Sequence, residues 1–147
     1  MRPLPLGKVY PITSLNNRRG WTHFELVERY LQGGGRFFQV RDTSLSDSSF
    51  YHQLLKVRSL CDPFEAKFLV NNRVDLALAV KAHGVHLGQD DLPVAAARKV
   101  LGNEALIGLS THNRDQFLKA QREDIDYLAL GPLFPTSTKA TENPPVG

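Results

Sequence analysis

The clearest βαβ signal in the chain is the stretch KFLVNNRVDLALAVKAHGVHL, residues 67–87. It opens and closes with the apolar runs 67–70 and 84–87, each of which has the length of a short buried strand. The residues between them, which include Leu76 and Val80, are predicted to form a short helix. A strand, a helix and a second strand in direct succession predict a βα repeat.

The same alternation extends on both sides of this stretch. Further strands are predicted at residues 8–13, 37–41, 105–109 and 125–130. Further helices are predicted at residues 22–32, 46–60 and 114–122 and after Asp91-Leu92-Pro93, where the proline falls in the first turn. This alternation is compatible with a doubly wound sheet or a (β/α)₈ barrel.

Polar residues follow nearly every predicted strand, and only a barrel brings all of those positions to one face. We therefore expect an α/β fold of the TIM (β/α)₈ type, with about six of the eight βα units present. No linker or low-complexity segment divides the chain, so residues 1–147 are expected to form a single domain.

The composition of the 147-residue chain excludes several classes of protein. The net charge is only +3, from 18 Lys and Arg against 15 Asp and Glu, and no basic cluster suggests a nucleic-acid partner. No apolar stretch is long enough to cross a membrane, and the N-terminus lacks the apolar region of a signal peptide. The single cysteine, Cys61, is expected to pack at the end of a helix rather than react. We expect a cytoplasmic protein that binds neither membranes nor nucleic acid.

Arg41 follows the second predicted strand on the same side as Gln39, which in a barrel is the interior or its upper rim. A guanidinium group in that position can bind a phosphate through its planar set of donors. The residues alone equally allow a surface ion pair between Arg41 and the adjacent Asp42.

Amides and a carboxylate follow the third and fourth strands. Asn71 and Asn72 could cap the next helix, which is the simpler interpretation, or one could bind a heterocycle while the other faces a cation. Asp91 could be an N-cap or a ligand for Mg²⁺, which needs few protein ligands when a phosphate completes its shell. His86 has no partner at metal-ligand spacing and is interpreted as a hydrogen-bonded strand residue.

Hydroxyl groups follow the fifth and sixth strands. Ser110 and His112 are close in sequence, but no G-x-S-x-G elbow surrounds them, so we do not expect a serine hydrolase. The loop after the sixth strand carries three hydroxyls and a lysine in succession. They are Thr136, Ser137, Thr138 and Lys139. Such a cluster favours phosphate binding over an ordinary solvated loop, because hydroxyls can surround the phosphate while the ammonium neutralises it.

Five of these segments together resemble the thiamine-phosphate synthase family. They are Gln39-Val40-Arg41 and residues 71–77, 84–91, 108–112 and 131–139. The resemblance implies a TIM-barrel transferase of thiamine biosynthesis. It would join hydroxymethylpyrimidine diphosphate to hydroxyethylthiazole phosphate, giving thiamine phosphate and pyrophosphate. In that dissociative chemistry the pyrophosphate leaves first and the thiazole nitrogen captures the resulting cation, so no protein nucleophile is required.

The resemblance also implies roles for individual residues. The catalytic residues would be Arg41 and Lys139 at the diphosphate and Ser110 near the reacting centre. The substrate-binding residues would be Gln39, Arg41, Thr43, Asn71, Ser110, Thr136, Ser137, Thr138 and Lys139. The cofactor would be Mg²⁺, held by Asn72 and Asp91.

The chain departs from the family pattern in three respects. Thr43 stands where the family usually has a lysine, and Asn72 stands where it usually has a Mg²⁺-binding aspartate. A complete barrel also needs roughly 200 residues or more, so we expect this stretch to lack strands seven and eight. We expect a truncated chain or gene fragment, a part of a longer protein, or a homo-oligomer in which a second copy covers the open barrel edges.

Two other functions stay open at this point. One is a non-catalytic remnant that binds phosphate ligands, which the neutral Thr43 and Asn72 and the absence of the last two strands favour. The other is a thiazole tautomerase-like isomerase, in which His112 would carry the proton. The loop at residues 135–139 is more similar to the synthase branch.

Overall fold

A computed structural model of the chain describes residues 7–15, 20–135 and 144–146. Within these residues, six parallel strands form one sheet in the order β1 to β6. The strands are Ile12–Thr13 (β1), Phe37–Val40 (β2), Lys67–Asn71 (β3), Gly84–Leu87 (β4), Leu106–Thr111 (β5) and Tyr127–Leu130 (β6). The helices are His23–Gln32 (α1), Asp47–Cys61 (α2), Val74–Ala79 (α3), Val94–Leu101 (α4) and Arg114–Ala120 (α5), with a 3₁₀ turn at Asp62–Phe64.

The strand order and the curl of the sheet decide between the two folds that the sequence allowed. In a doubly wound sheet the strand order reverses at a switch point, whereas here every strand pairs with its neighbours in sequence. The hydroxyls of Tyr10, just before β1, and Tyr127, in β6, share a hydrogen bond of 2.8 Å. In a flat sheet these strands would be five spacings of about 4.8 Å apart, roughly 24 Å. The TIM-type prediction is confirmed, as a curled half-barrel.

Most predicted elements are confirmed, but several of their ends are different. β1 covers only Ile12–Thr13 rather than residues 8–13, because Pro11 has no N–H to extend the ladder. β6 begins at Tyr127 rather than at residue 125, and α5 ends at Ala120 rather than at residue 122. The proline before α4, Pro93, is its N-cap rather than part of its first turn.

Alternate strand residues face opposite sides of the sheet. Outward-facing residues such as Phe38, Phe68 and Ile107 are buried in the main core beneath the helices. Cys61 at the end of α2 belongs to the same core, and burial raises the pKa of its thiol to about 12. The packing interpretation of this cysteine is therefore confirmed. None of the helices in the described ranges is long and apolar enough to cross a membrane.

The inward face of the sheet carries a smaller apolar cluster. Phe37, Leu69 and Leu106 are buried there, and Tyr10 and Tyr127 pack against them. Since Phe37 and Leu106 are the first residues of their strands, this cluster fills the amino-terminal half of the interior. Inward-facing polar residues are thereby left at the carboxyl ends of the strands.

Gly108 in β5 allows the Tyr127 ring to lie against the sheet. A Cβ atom added at position 108 would come within 2.1 Å of Cζ of Tyr127. Gly108→Ala is therefore expected to lower the free energy of unfolding by about 1–3 kcal/mol, the usual cost of overpacking. Urea denaturation measures this change. The matched control is Gly33→Ala, whose added Cβ would have its nearest neighbours at an ordinary 3.5 Å. An equal loss in both variants would contradict the interpretation.

Candidate active site

The carboxyl ends of β2 to β5 surround one small pocket. It has a volume of about 60 Å³ and is lined by Arg41, Asn71, Asn72, His86, Gly88, Asp91 and Ser110. Parallel strands of a curled sheet end on the same side, so side chains from four strand ends meet there. Five residues for which the sequence predicted a role in substrate or metal binding line this pocket. They are Arg41, Asn71, Asn72, Asp91 and Ser110.

Arg41 is the cation in the lining of this pocket. The adjacent Asp42 does not pair with it, because the Asp42 carboxylate contacts Nε2 of His23 in α1, 3.0 Å away. The alternative of a surface ion pair between Arg41 and Asp42 is therefore wrong. Across the described ranges, the Arg41 guanidinium has neither an ion pair nor a hydrogen bond of its own. It is free to bind an anion in the pocket.

The two amides do not cap α3. That helix begins after Arg73, whose side chain makes no capping hydrogen bond. Asn72 adopts a left-handed φ of 62°, and its backbone N–H donates to the His86 carbonyl at 2.9 Å. The capping interpretation is wrong, because this tight turn brings Asn71 and Asn72 to the pocket instead.

Asp91 and Asn72 supply oxygen donors to the pocket. Asp91 is not the N-cap of α4, since its Oδ2 accepts from the Gly88 N–H at 2.6 Å and closes the preceding loop. Among the residues with described positions, no group of three or more His, Cys, Asp or Glu side chains forms a metal site. One carboxylate and one amide suit Mg²⁺, which takes few protein ligands when phosphates complete its shell. They do not suit zinc, which needs three or four nitrogen, sulfur or carboxylate ligands.

A chain of hydrogen bonds runs from His86 and Ser110 in the pocket lining into the interior of the sheet and forms the floor below the pocket. Nε2 of His86 contacts the Ser110 hydroxyl and Nδ1 contacts the Tyr127 hydroxyl, each at 2.7 Å. Tyr127 shares a hydrogen bond with Tyr10, and the Gln39 amide donates to Tyr10 at 3.1 Å. The interpretation of His86 as a hydrogen-bonded strand residue is confirmed. Its partners, however, lead directly to the pocket.

The environment of these groups limits their protonation states. Burial raises the pKa of both Tyr10 and Tyr127, so both phenols stay protonated near neutral pH. A neutral imidazole donates through one ring nitrogen and accepts through the other. A neutral His86 would therefore donate to one of its two hydroxyl partners and accept from the other.

Ser110 has a histidine partner, but it is not the one close in sequence. Nδ1 of His112 contacts the Gly131 carbonyl at 2.6 Å, and His112 does not line the pocket. The second nitrogen of His86 faces the Tyr127 hydroxyl rather than the carboxylate of a catalytic triad. This geometry agrees with the absence of a nucleophile elbow and gives no support to a serine hydrolase.

Gln39 carries an unused acceptor below Arg41 on the same strand face. The residue is 1% exposed, and in the described part of the chain its Oε1 has no hydrogen-bond partner. Leaving a buried carbonyl unpaired costs roughly 1–3 kcal/mol. A ligand with a hydrogen-bond donor at this position would offset that cost.

The structure describes only one of the remaining predicted site residues. Thr43 is exposed and does not line the pocket. The loop residues Thr136, Ser137, Thr138 and Lys139 lie outside the described residues.

His86, which lines the pocket, was assigned no site role, and the sequence analysis also missed Tyr10 and Tyr127 below it. The signal that could have found them is the alternation of the strands. It puts Tyr127 on the inward face and Tyr10 beside it, two residues before β1.

Tyr127→Phe removes the hydroxyl that serves both Tyr10 and His86. We expect the free energy of unfolding to fall by about 1–3 kcal/mol, because two partly buried groups lose a partner. Chemical denaturation measures it. Tyr51→Phe is the control, since the Tyr51 hydroxyl has no hydrogen bond within the described ranges. Its effect should stay within about 0.5 kcal/mol. If Tyr127→Phe left the free energy of unfolding unchanged, the hydrogen-bond network would not be stabilising the floor of the pocket.

The fold and the position of the pocket identify a TIM-type barrel protein, the class in which active sites lie at the carboxyl ends of the strands. The family described as thiamine monophosphate synthase matches residues 9–147. The chain is 41% identical over 139 residues to the thiamine-phosphate synthase of Methanospirillum hungatei, covering 95% of this chain and 68% of that protein. It is 50% identical over 118 residues to the thiamine-phosphate synthase of Synechocystis sp., covering 80% of this chain and 34% of that protein.

A solved structure gives the same result. The thiamine phosphate pyrophosphorylase from Pyrococcus furiosus matches with a TM-score of 0.77 and 35% identity, over 86% of this chain and 61% of its own. The chain therefore belongs to the thiamine monophosphate synthase family. It spans 34% to 68% of the length of these three proteins.

Proposed function

We propose that this chain is a thiamine-phosphate synthase, or the greater part of one. It would join hydroxymethylpyrimidine diphosphate to hydroxyethylthiazole phosphate and release pyrophosphate. The observation that carries the proposal is the convergence of Arg41, Asn71, Asp91 and Ser110 on one pocket at the strand ends, in a member of this family.

We infer that the groups at the floor of the pocket orient the pyrimidine ring. Gln39 offers a buried acceptor without a partner, which an amino group on the heterocycle could satisfy. The rings of His86 and Tyr127, with centroids 5.5 Å apart, provide an aromatic wall beside it. In this proposal Gln39 and Asn71 orient the ring, and the hydroxyl of Ser110, held by His86, lies near the reacting methylene.

The upper part of the pocket would handle the leaving group. The C–O bond to the pyrimidine methylene breaks, and its electron pair departs with pyrophosphate. The thiazole nitrogen then forms the new C–N bond with its own lone pair. Arg41 neutralises the charge that develops on the diphosphate, which is the largest task of the protein in a dissociative reaction. The resemblance adds Lys139 at the diphosphate and Thr136, Ser137 and Thr138 around the thiazole phosphate.

Asn72 and Asp91 are the residues that would hold Mg²⁺. The bound ion would supply further neutralisation of the diphosphate charge. Asn72 brings an oxygen donor without a negative charge, so we expect weaker Mg²⁺ binding than a pair of aspartates would give. Thr43 contributes no charge either, which leaves more of the work to Arg41.

Arg41→Gln tests the central residue of the proposal. The unmodified chain, given both substrates and Mg²⁺, should form thiamine phosphate, detected by mass spectrometry, and release pyrophosphate. The variant should lose about 10²–10³-fold in kcat/KM, because the charge that stabilises the leaving group is gone. The control is Arg122→Gln, which removes the same charge from an exposed position after α5 and should leave the rate unchanged.

The outcomes separate the synthase from the alternatives. Folded protein that gives no product above background would reject catalysis by this chain. Saturable binding of thiamine phosphate or pyrophosphate without turnover would then identify a phosphate-binding remnant. The tautomerase alternative has less support, since His112 is held by the Gly131 carbonyl and lies outside the pocket lining.

The homo-oligomer and the cytoplasmic location stay predictions. Nothing in the described ranges pairs with the outer edges of β1 and β6, and Phe134 beyond β6 is 78% exposed. Unpaired strand edges beside apolar side chains favour association. We expect a solution mass of two or more copies by light scattering, and Phe134→Ser should shift it toward one copy. A monomeric unmodified chain would contradict this expectation.

A further inference from the structure

A buried hydrogen-bonded pair, His23 and Asp42, lies just outside the pocket lining. Nε2 of His23, the first residue of α1, is 3.0 Å from Oδ2 of Asp42, in the loop after β2. The two side chains are 0% and 3% exposed. Burying a carboxylate is costly unless it is paired and hydrogen-bonded. This pair therefore needs a structural or functional reason.

Both oxygens of the carboxylate and both nitrogens of the ring have partners. Oδ1 of Asp42 accepts from the backbone N–H groups of Ser44 and Leu45, both at 2.7 Å, and from the Ser44 hydroxyl at 3.0 Å. Nδ1 of His23 is 2.8 Å from the hydroxyl of Thr13 in β1. The pair thus ties β1 and α1 to the loop at residues 42–45.

The protonation states follow from these contacts. Burial acts to raise the pKa of Asp42, but the hydrogen bonds from Leu45, Ser44 and His23 outweigh it and hold that pKa below its usual value. Burial lowers the pKa of His23, although Asp42 opposes the shift. Because a carboxylate only accepts hydrogen bonds, Nε2 of His23 carries a proton, and Nδ1 of the neutral ring accepts from Thr13. The ring has one orientation and one tautomer.

Asp42 directly follows Arg41 in the chain. The Arg41 guanidinium has no partner among the described residues, so its position depends on the backbone that carries it. Asp42 and its donors fix that backbone, and His23 fixes Asp42. We propose that His23 is a positioning residue for Arg41: through Asp42 it holds residues 41–45 so that the guanidinium meets a diphosphate. This inference rests on the proposed function.

A double-mutant cycle between positions 23 and 41 tests the inference. His23→Asn has a side chain too short to reach Asp42, and it should lower kcat/KM for the pyrimidine diphosphate about 10–100-fold. The KM for the thiazole phosphate should change less than about twofold. In an Arg41→Gln background the same substitution should have little further effect, because the residue it positions is gone. An equal loss in both backgrounds would indicate a general structural role and overturn the inference.

A conservative variant and a milder one complete the cycle. The amide nitrogen of His23→Gln can occupy the place of Nε2 and donate to Asp42, so most of the lost activity should return. If His23→Asn does not fold, Thr13→Val removes only the hydroxyl on the other side of the ring. It should produce a smaller loss in the same direction, again absent in the Arg41→Gln background.

Hydrogen exchange separates the positioning step from the chemistry. The amides of Ser44 and Leu45 donate to Asp42, so they should exchange faster in His23→Asn, while the distant Ile107 amide, which donates to Asp126, should not change. Unchanged exchange at Ser44 and Leu45 overturns the inference whatever the activity.

If the unmodified chain makes no thiamine phosphate, the proposed function fails separately. The same double-mutant cycle is then measured on the binding of inorganic pyrophosphate. The inference is supported if His23→Asn weakens binding in the unmodified chain but not in the Arg41→Gln background. It is overturned if His23→Asn leaves the binding unchanged.

Discussion

The site depends on the curl of the sheet, which is shown by the hydrogen bond between Tyr10 and Tyr127. These hydroxyls come from the first and last of the six strands and meet at 2.8 Å. Only a curled sheet brings them together, and the same curl directs the carboxyl ends of β2 to β5 toward one pocket. Gly108 is part of the same constraint, because the Tyr127 ring occupies the space that a larger residue would need.

The inward face of the curled sheet is apolar in its amino-terminal half and polar toward the carboxyl ends of the strands. The cluster of Phe37, Leu69 and Leu106 fills the amino-terminal half without any polar group. Toward the carboxyl ends, the inward positions carry polar side chains that bond mainly to one another, such as His86 to Ser110. Oε1 of Gln39, which is buried, and the guanidinium of Arg41 have no partner in the described part of the chain. The apolar half stabilises the fold, and the polar half remains available for a ligand.

The sequence predicted what depends on local pattern. Apolar runs and helical spacing gave the order of the elements, and residues just after strands, such as Arg41 and Asn71, were correctly expected at one face. The errors concern contacts between distant segments. Tyr10 and Tyr127 are 117 residues apart, and Asp42 binds His23 in another element rather than its neighbour Arg41. Spacing can place a residue on one face of a strand, but it does not name the partner from a distant segment, because that contact forms only in the folded chain.

The pocket offers little positive charge to an anionic ligand. Within its described lining, Arg41 is the one residue with a fixed positive charge and Asp91 the one acidic residue, so the lining is close to neutral. A diphosphate carries several negative charges, and Thr43 and Asn72 add none that would balance it or recruit a metal more strongly. In the proposed function a single guanidinium would do most of this work, and it would have to be held accurately, since a small displacement would remove much of its effect. The buried pair of His23 and Asp42 lies where it can meet that requirement, one residue away from Arg41 and shielded from solvent.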